Sequence, residues 1–376
     1  MRPLYFDHNA TTPIAPRVFA AMRPYLDEHF GNPGSAHIWG LRARNAVDEA
    51  REKTAALIGA GPGEIVFTGC ATESNNTVLF GHFQDRMGHL AVSAVEHPSV
   101  LAPARALAAS GVEVSLMDVG PDGRVDPAGA ARRILPQTRL VSVMLAQNET
   151  GVIQPVAEIA AMAHAVGAAM HVDAAQAVGK IPVDVAALGA DFLTVAGHKL
   201  YAPKGVGALF VRQGMDLPPY LLGGGQEGGR RSGTENVALI VGLGEACAMA
   251  LEDVAEEGAR QQKIGAAIEA GLAGLGIAMR IHGQGAERLP NTLFVGFAGY
   301  RAADILSECV AEEIGCGAGA ACHGTDTTVS HVLMAMGASR EFAEGTIRLS
   351  WGRSTTMDDA AELVERLSRI FWRLAA

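Results

Sequence analysis

Short runs of apolar and β-branched residues alternate with alanine-rich amphipathic segments through the first 250 residues of the chain. Seven of these runs have the length and composition of strands: Glu64–Thr68, His89–Ala94, Val112–Met117, Arg139–Ala146, Ala168–Val172, Phe192–Ala196 and Gly207–Val211. Segments with helical periodicity lie between several of them: Leu41–Ile58, Val100–Ala109 and Val156–Val166. The alternation predicts an α/β fold in which helices flank a mostly parallel, seven-stranded sheet.

A long helical pattern, Asn236–Leu272, predicts a connection to a second, smaller unit. This unit contains two further predicted strands and a final helix: Thr292–Phe297, Thr346–Trp351 and Asp358–Leu374. A chain of 376 residues is long enough for two domains.

Polar residues follow five of the predicted strands at their carboxyl ends, where ligands bind in open α/β sheets. A purely structural protein has little reason to distribute polar groups in this way. The residues at these five ends are Thr72, His97, Asn148, Asp173, Gln176, His198 and Lys199.

Lys199 is the candidate amine for a covalent aldehyde cofactor, because such a cofactor needs a lysine at a site rather than on a solvated face. Lys53 and Lys263 fall in charged helical patterns, and Lys180 falls in a predicted loop. Lys204, in a Pro-Lys-Gly turn, is the competitor. A structural or exposed lysine is the alternative interpretation of Lys199.

Two strand ends suit a pyridoxal 5′-phosphate (PLP) cofactor. Asp173 could pair with the protonated ring nitrogen, which the ring requires to act as an electron sink, and Gln176 is close enough in sequence to reach the ring hydroxyl. Ala71 and Thr72, at a predicted strand-to-helix turn, could bind the phosphate through backbone N–H groups. Ordinary helix capping is the alternative for Asp173 and for this turn.

Two more residues have both a functional and a structural interpretation. His97 could stack on a pyridine ring and shuttle a proton, or it could cap a helix. Arg348, in an apolar strand, requires an anionic partner. That partner could be a structural carboxylate or the carboxylate of an amino-acid substrate.

The overall composition excludes several classes of partner. A net charge of −10 argues against nucleic acid and anionic membranes. No apolar run is long enough to span a bilayer and the N-terminus lacks a signal-peptide pattern, so we expect a cytoplasmic protein. No Walker motif or dinucleotide fingerprint occurs, which argues against ATP and NAD as principal cofactors.

Cys322 stands in a glycine- and alanine-rich stretch, GAGAACHGT, that lacks the bulk to bury it. Glycine gives such a segment backbone freedom, and a small core thiol does not suit it. The five cysteines contain no C-x-x-C pair, so a disulfide framework is not expected. A metal or iron–sulfur site on Cys309, Cys316, Cys322 and His323 is the alternative, but these spacings match no common cluster pattern.

Taken together, the motifs resemble those of the PLP-dependent cysteine desulfurases, which are class-V aminotransferase-like enzymes of fold type I. The matching segments run in order from residue 5 to residue 356: YFDHNATTP, GNPGSAH, FTGCATESNN, EHPSV, QNETG, HVDAAQAVGK, GHKLYAPKGVGALF, GGGQEGGRRSGTEN and RLSWGRSTT. The resemblance implies a large PLP-binding domain over residues 16–250. It also implies a small α+β domain, residues 1–15 and 251–376, that carries a catalytic-cysteine loop at about 316–328.

The same resemblance implies a role for each candidate residue. Lys199 would bind PLP covalently and Cys322 would accept sulfur, with no resident metal, although a transient cluster on Cys322 is compatible with sulfur transfer. The cofactor would contact Ala71, Thr72, His97, Asn148, Asp173, Gln176, His198 and, from the neighbouring subunit of a homodimer, Thr234. The substrate carboxylate would bind to Asn148 and Arg348, with Asn32 nearby.

The reaction implied is conversion of L-cysteine to L-alanine, with sulfur passing through a Cys322 persulfide to an acceptor or scaffold protein for iron–sulfur assembly or thiolation. The Ala-Ala-Cys-His sequence resembles selenocysteine lyases, so release of selenium from selenocysteine is an alternative. Another PLP-dependent aminotransferase or decarboxylase would leave Cys322 unexplained. Two residues depart from the family pattern: Ala196 replaces a common serine, and Cys70 replaces a common glycine.

Overall fold

The computed structural model describes residues 2–318 and 329–375. Its strands are β1 (Leu4–Tyr5), β2 (Ile65–Thr68), β3 (His89–Ser93), β4 (Glu113–Met117), β5 (Thr138–Met144), β6 (Ala169–Asp173), β7 (Phe192–Ala196), β8 (Gly207–Val211), β9 (Met279–Ile281), β10 (Thr292–Phe297), β11 (Ile314–Gly315) and β12 (Thr346–Ser350). Its α-helices are α1 (Pro16–Met22), α2 (Pro24–Asp27), α3 (Ile38–Leu57), α4 (Ala71–His82), α5 (Pro98–Ala109), α6 (Pro127–Arg133), α7 (Val156–Ala165), α8 (Val185–Leu188), α9 (Val237–Ala273), α10 (Ala302–Ala311), α11 (His331–Ala335), α12 (Arg340–Ala343) and α13 (Met357–Leu374).

A seven-stranded sheet forms the centre of the larger unit, in the order β2-β8-β7-β6-β5-β3-β4. The strands from β7 to β4 pair in parallel, and β8 pairs antiparallel with both of its neighbours. The predicted α/β class and the seven-stranded, mostly parallel sheet are therefore confirmed.

Helices cover both faces of this sheet, which explains why most of its strands are apolar at every position. Successive side chains of a strand point to opposite faces. On β2, Ile65 and Phe67 join the apolar cluster that includes residues of α3, α7 and α9, whereas Val66 joins the cluster formed with α4 and α5. Because helices cover both faces of the sheet, the carboxyl ends of the parallel strands are the place where a cavity can form.

The smaller unit has its own three-stranded antiparallel sheet, β12-β10-β9. Residues of β10, β12, α10 and α13 form an apolar core together with Leu4 and Phe6 near the N-terminus. The first strand, β1, pairs in parallel with β11 near the other end of the chain. The domain limits at residues 16 and 250 stay a prediction.

Helix α9 confirms the long helix predicted over Asn236–Leu272 and contributes to both cores. Asn236 caps it by accepting a hydrogen bond from the Leu239 N–H at 3.4 Å. Its first part packs in the core of the larger unit, and its last part in the core of the smaller one. Gly244 lies so close to α3 that a Cβ atom there would stand 2.6 Å from the Ala50 Cα.

An ion pair fixes the glycine-rich segment that precedes α9. The Arg51 guanidinium, on α3, forms two hydrogen bonds of 2.8 and 2.9 Å with the buried Glu227 carboxylate. Glu227 also accepts the Phe67 N–H at 3.0 Å. The segment is thereby joined to both α3 and β2.

Among the described helices, none is long and apolar enough to cross a bilayer.

Candidate active site

A cavity of about 570 Å³ lies at the carboxyl ends of β5, β6 and β7, beside the first residues of α4 and α5. Parallel strands bring their carboxyl ends to one edge, so residues far apart in sequence meet there. Nine of the predicted residues line it: Ala71, Thr72, His97, Asn148, Asp173, Gln176, His198, Lys199 and Arg348.

Lys199 follows β7 and extends toward the N-terminal segment. Its Nζ donates hydrogen bonds to the backbone oxygens of Asn9 and, at 3.1 Å, Ala10. Burial lowers the pKa of Lys199 from 10.5 to about 8. Arg348 lowers this pKa further, while Asp7 and Asp173 raise it. The site therefore holds an amine whose neutral form is accessible near neutral pH.

Asp173 ends β6 as a buried carboxylate facing the cavity. Its Oδ1 accepts the Ala175 N–H at 3.0 Å, and its Oδ2 accepts the Asn75 Nδ2–H at 2.7 Å. The same Asn75 amide donates to Ser99 Oγ at 2.8 Å. These donors fix the carboxylate in one orientation, as binding a protonated ring nitrogen requires.

His97 caps a helix, which is its structural interpretation, and it also lines the cavity, as its functional interpretation requires. It is the N-cap of α5, and its Nδ1 accepts the Ser99 N–H at 3.1 Å. The Ser99 hydroxyl lies 2.8 Å from the same nitrogen. Since Nδ1 accepts these bonds, the neutral ring carries its proton on Nε2.

The start of α4 offers an anion site. No described side chain caps this twelve-residue helix, and Cys70, Ala71 and Thr72 line the cavity at its first N–H groups. Such a helix end favours a phosphate. The backbone of Cys70 is extended, with φ −177°, so the turn accepts its Cβ without strain. Ala196 also lines the cavity and brings no hydroxyl.

His198 lies between β7 and Lys199 and faces the same cavity. Its pKa is lowered to about 4, first by burial and then by Lys199, Lys204 and Lys180. The ring is therefore neutral at physiological pH and offers hydrogen bonds rather than a charge.

Arg348, on β12, pairs with a structural carboxylate while it lines the cavity. Its Nη2 lies 2.8 Å from Asp7 Oδ1, and its Nη1 donates to the Asn148 backbone oxygen at 3.0 Å. Its Nε is buried and has no hydrogen-bond partner among the described residues. One carboxylate thus leaves part of this guanidinium unsatisfied, as expected if an anionic ligand binds beside it.

Lys180 and Asn9 were missed in the sequence. Lys180 lies in a turn, as predicted, but it is buried, with 8% of its surface exposed. Its Nζ donates to Gln176 Oε1 at 2.6 Å and to Asn9 Oδ1 at 2.9 Å. The four-residue spacing from Gln176 to Lys180 was the signal in the sequence for a contact between these two side chains. This spacing does not predict the contact of Lys180 with Asn9.

Two predicted residues do not line the cavity, and a third is not described. Asn32 and Thr234 are exposed and do not line the cavity of their own chain. Cys322 lies outside the described residues, as does His323. Before this gap, Gly317 exchanges two backbone hydrogen bonds with Arg348, and after it Ser330 donates to Glu149 Oε2 at 2.5 Å. Both Arg348 and Glu149 line the cavity.

Two of the four residues of the metal-site alternative, Cys322 and His323, lie outside the described residues. Among residues 2–318 and 329–375, no group of three or more histidine, cysteine or acidic side chains could hold a metal ion. Cys309 is buried in the core of the smaller unit.

Comparisons with known proteins agree with this geometry. Residues 4–363 match the family model described as aminotransferase class-V. The chain is 43% identical to cysteine desulfurase IscS 1 of Archaeoglobus fulgidus, over 98% of this chain and 97% of that protein. It is 39% identical to cysteine desulfurase IscS of Dictyoglomus turgidum, over 99% and 95%.

Two solved structures are similar over nearly their whole length. A NifS-like protein superimposes with a TM-score of 0.92 at 35% identity, covering 98% of this chain and 99% of that one. The structure described as SspA in complex with cysteine gives a TM-score of 0.83 at 34% identity, covering 94% and 100%.

Proposed function

The chain belongs to the class-V aminotransferase family and to its cysteine desulfurases, and we propose that it removes sulfur from L-cysteine with PLP bound in the cavity described above. The observation that carries this proposal is Lys199, a half-buried amine whose pKa is lowered to about 8. It shares one cavity with a buried carboxylate and with a helix N-terminus that lacks a side-chain cap.

The residues of the cavity fit PLP in three respects. The start of α4 and the neutral His198 suit the phosphate, Asp173 suits the ring nitrogen, and Lys199 suits the aldehyde. When bound, PLP supplies an electron sink for the bonding electrons of the substrate Cα–H bond. Ala196 brings no hydroxyl to the phosphate, so we expect slightly weaker retention of the cofactor.

The protein contributes binding and proton transfer. We propose that the Nζ of Lys199, once free, takes the proton from Cα and returns it, since a pKa near 8 suits both directions. His97, which lines the cavity, would stack on the cofactor ring and shuttle a proton. Asn148 and Arg348 would hold the substrate carboxylate, with Asn32 nearby.

Cys322 is the proposed sulfur acceptor. Its thiolate would attack the substrate sulfur, so that the carbon–sulfur bond breaks, a persulfide forms on the protein and alanine is released after protonation. The chain on both sides of residues 319–328 is bonded to residues of the cavity wall.

A homodimer is part of the proposal. Thr234 is exposed and does not line the cavity of its own chain, which agrees with a role at the phosphate of a neighbouring subunit. Large apolar side chains are exposed in the same two regions as Asn32 and Thr234, namely Phe30, Ile38, Trp39 and Leu222. Light scattering should therefore give twice the mass of one chain.

The acceptor of the sulfur and the location belong to the same proposal. We propose transfer to an acceptor or scaffold protein, for iron–sulfur assembly or for thiolation, in the cytoplasm. Selenocysteine is the less favoured substrate, because the similar proteins reported above are described as cysteine desulfurases and one solved relative holds cysteine.

Cofactor binding is tested first. The purified protein should be yellow, and reduction with borohydride followed by peptide mapping should find PLP on Lys199. Lys204→Ala is the control and should keep the label. A colourless protein that does not take up added PLP would refute the proposal.

The sulfur step is tested with Cys322→Ala. This variant should keep the cofactor absorbance and still respond to cysteine, but release no sulfide in the presence of a reductant. Cys247→Ala is the control, because this thiol is buried and its pKa is raised to about 12 by burial. Measuring kcat/KM for cysteine and selenocysteine, with alanine as the common product, decides between the two substrates.

A further inference from the structure

Another lysine, Lys180, is buried and contacts the same residue, Asn9, as the proposed cofactor lysine, Lys199. Lys180 directs its Nζ to two amide oxygens, those of Gln176 at 2.6 Å and Asn9 at 2.9 Å. Both acceptors are buried. Neither contact is with a carboxylate, so these bonds do not neutralise an ammonium charge. Buried lysines without a carboxylate partner are uncommon and need a reason.

The contact determines which end of the Gln176 amide faces which neighbour. Gln176 Oε1 accepts from Lys180, and Gln176 Nε2 donates to the Asn9 backbone oxygen at 2.9 Å. An ammonium group has no acceptor capacity, so the opposite orientation of the amide would place two donors against each other. It would also place Oε1 against the oxygen of Asn9.

Gln176 lines the cavity in this fixed orientation. Its amide nitrogen carries two N–H groups, of which one is directed to Asn9, and the second is the donor that a ligand oxygen can use. We propose that Lys180 is a positioning residue of the active site, which fixes Gln176 as a hydrogen-bond donor toward the phenolic oxygen of PLP. This inference rests on the proposed cofactor chemistry.

Lys180 is linked to the cofactor lysine through Asn9 as well. The backbone oxygen of Asn9 accepts from both Gln176 and Lys199. Among the described residues, Arg348 acts on both lysines, and Asp7 and Asp173 act on Lys199. Burial, then Lys199 and Arg348, lower the pKa of Lys180 well below its ordinary value.

The spectrum of the bound cofactor reports on this arrangement. A hydrogen-bond donor to the phenolic oxygen of PLP stabilises the anionic form of that oxygen. It thereby weakens proton binding at the nearby nitrogen, the one that would join Lys199 to the cofactor. Lys180→Met removes the donor that fixes Gln176 and one nearby cation. The pH at the midpoint of the absorbance change should then rise by about one unit, a tenfold increase in proton affinity. Gln176→Leu should raise it as well.

Three further variants separate positioning from general damage. Lys180→Arg retains a donor and should keep most of the wild-type midpoint. Lys263→Met makes the same substitution on the exposed face of α9 and should change nothing. In the double variant of Lys180→Met and Gln176→Leu, the shift should be clearly smaller than the sum of the two single shifts.

The proposal is overturned if Lys180→Met titrates like wild type, or if the two shifts are additive. If Lys180→Met does not fold, Gln176→Leu still decides, because an unshifted midpoint there refutes the donor role that Lys180 is proposed to fix. A wild-type protein without any cofactor absorbance refutes the proposed function itself. A normal wild-type titration with unshifted variants refutes only the positioning role.

Discussion

The pKa of Lys199 predicts how fast the protein takes up its cofactor at each pH. Only a neutral amine attacks an aldehyde. With a pKa of about 8, roughly one Lys199 side chain in ten is neutral at pH 7. With the ordinary value of 10.5, about one in 3,000 would be neutral. The environment therefore raises the reactive fraction roughly 300-fold.

The assay is stopped-flow absorbance of PLP uptake by the apoprotein between pH 6 and pH 10. The second-order rate should rise about tenfold per pH unit below pH 8 and level off above it. A soluble lysine derivative mixed with the same PLP solutions corrects for ionisation of the cofactor itself. A rate that keeps rising to pH 10 would refute the reasoning, since Lys199 would then behave as an exposed lysine.

A charge variant tests the stated causes of that shift. Arg348 is the principal cation that lowers the pKa of Lys199 after burial. Arg348→Met should therefore move the break in the rate profile to higher pH. An unchanged break would mean that Arg348 does not contribute to this pKa shift.

Three other perturbations test the packing and the site. Gly244→Ala should destabilise the fold by about 1–3 kcal/mol in urea unfolding, because the added Cβ would clash with α3. Gly258→Ala, in the same helix, is the control: the added Cβ has room there, so the change should be neutral or slightly stabilising. Arg51→Met leaves a buried carboxylate unpaired and should cost about 3–5 kcal/mol; Arg17→Met, which removes an exposed pair, should cost far less, and equal losses would contradict the distinction. Asn75→Leu removes a donor from the carboxylate in the cavity and should weaken PLP binding about tenfold in an absorbance titration, with thermal unfolding as the check on folding.

The fold was predictable because its signals are local. The segments Phe192–Ala196, Gly207–Val211 and Thr292–Phe297 are strands with the predicted limits. Each is an apolar run bounded by turn residues, and such runs need no information about distant partners. The predicted helix over Leu41–Ile58 starts three residues earlier, at Ile38, where His37 caps it by accepting the Gly40 N–H.

The candidate site was predictable only where residues follow strands of the parallel sheet. Topology alone brings those strand ends together, and Thr72, Asp173 and Lys199 meet there accordingly. Contacts across long separations were not predictable. Lys180 is buried because of Asn9, which is 171 residues away. Arg348 finds its carboxylate 341 residues away, at Asp7.

The N-terminal segment has a consequence for how the protein is made. Leu4 pairs with Ile314, and the Asn9 N–H donates to Ser350 Oγ at 2.9 Å. Synthesis proceeds from the N-terminus, and domains usually fold in the order in which they leave the ribosome. These two contacts of the N-terminal segment therefore cannot form until nearly the whole chain has emerged. A truncated product that is released before residue 350 cannot complete the cavity wall around Lys199. Early stalling of the ribosome therefore yields no partly active enzyme.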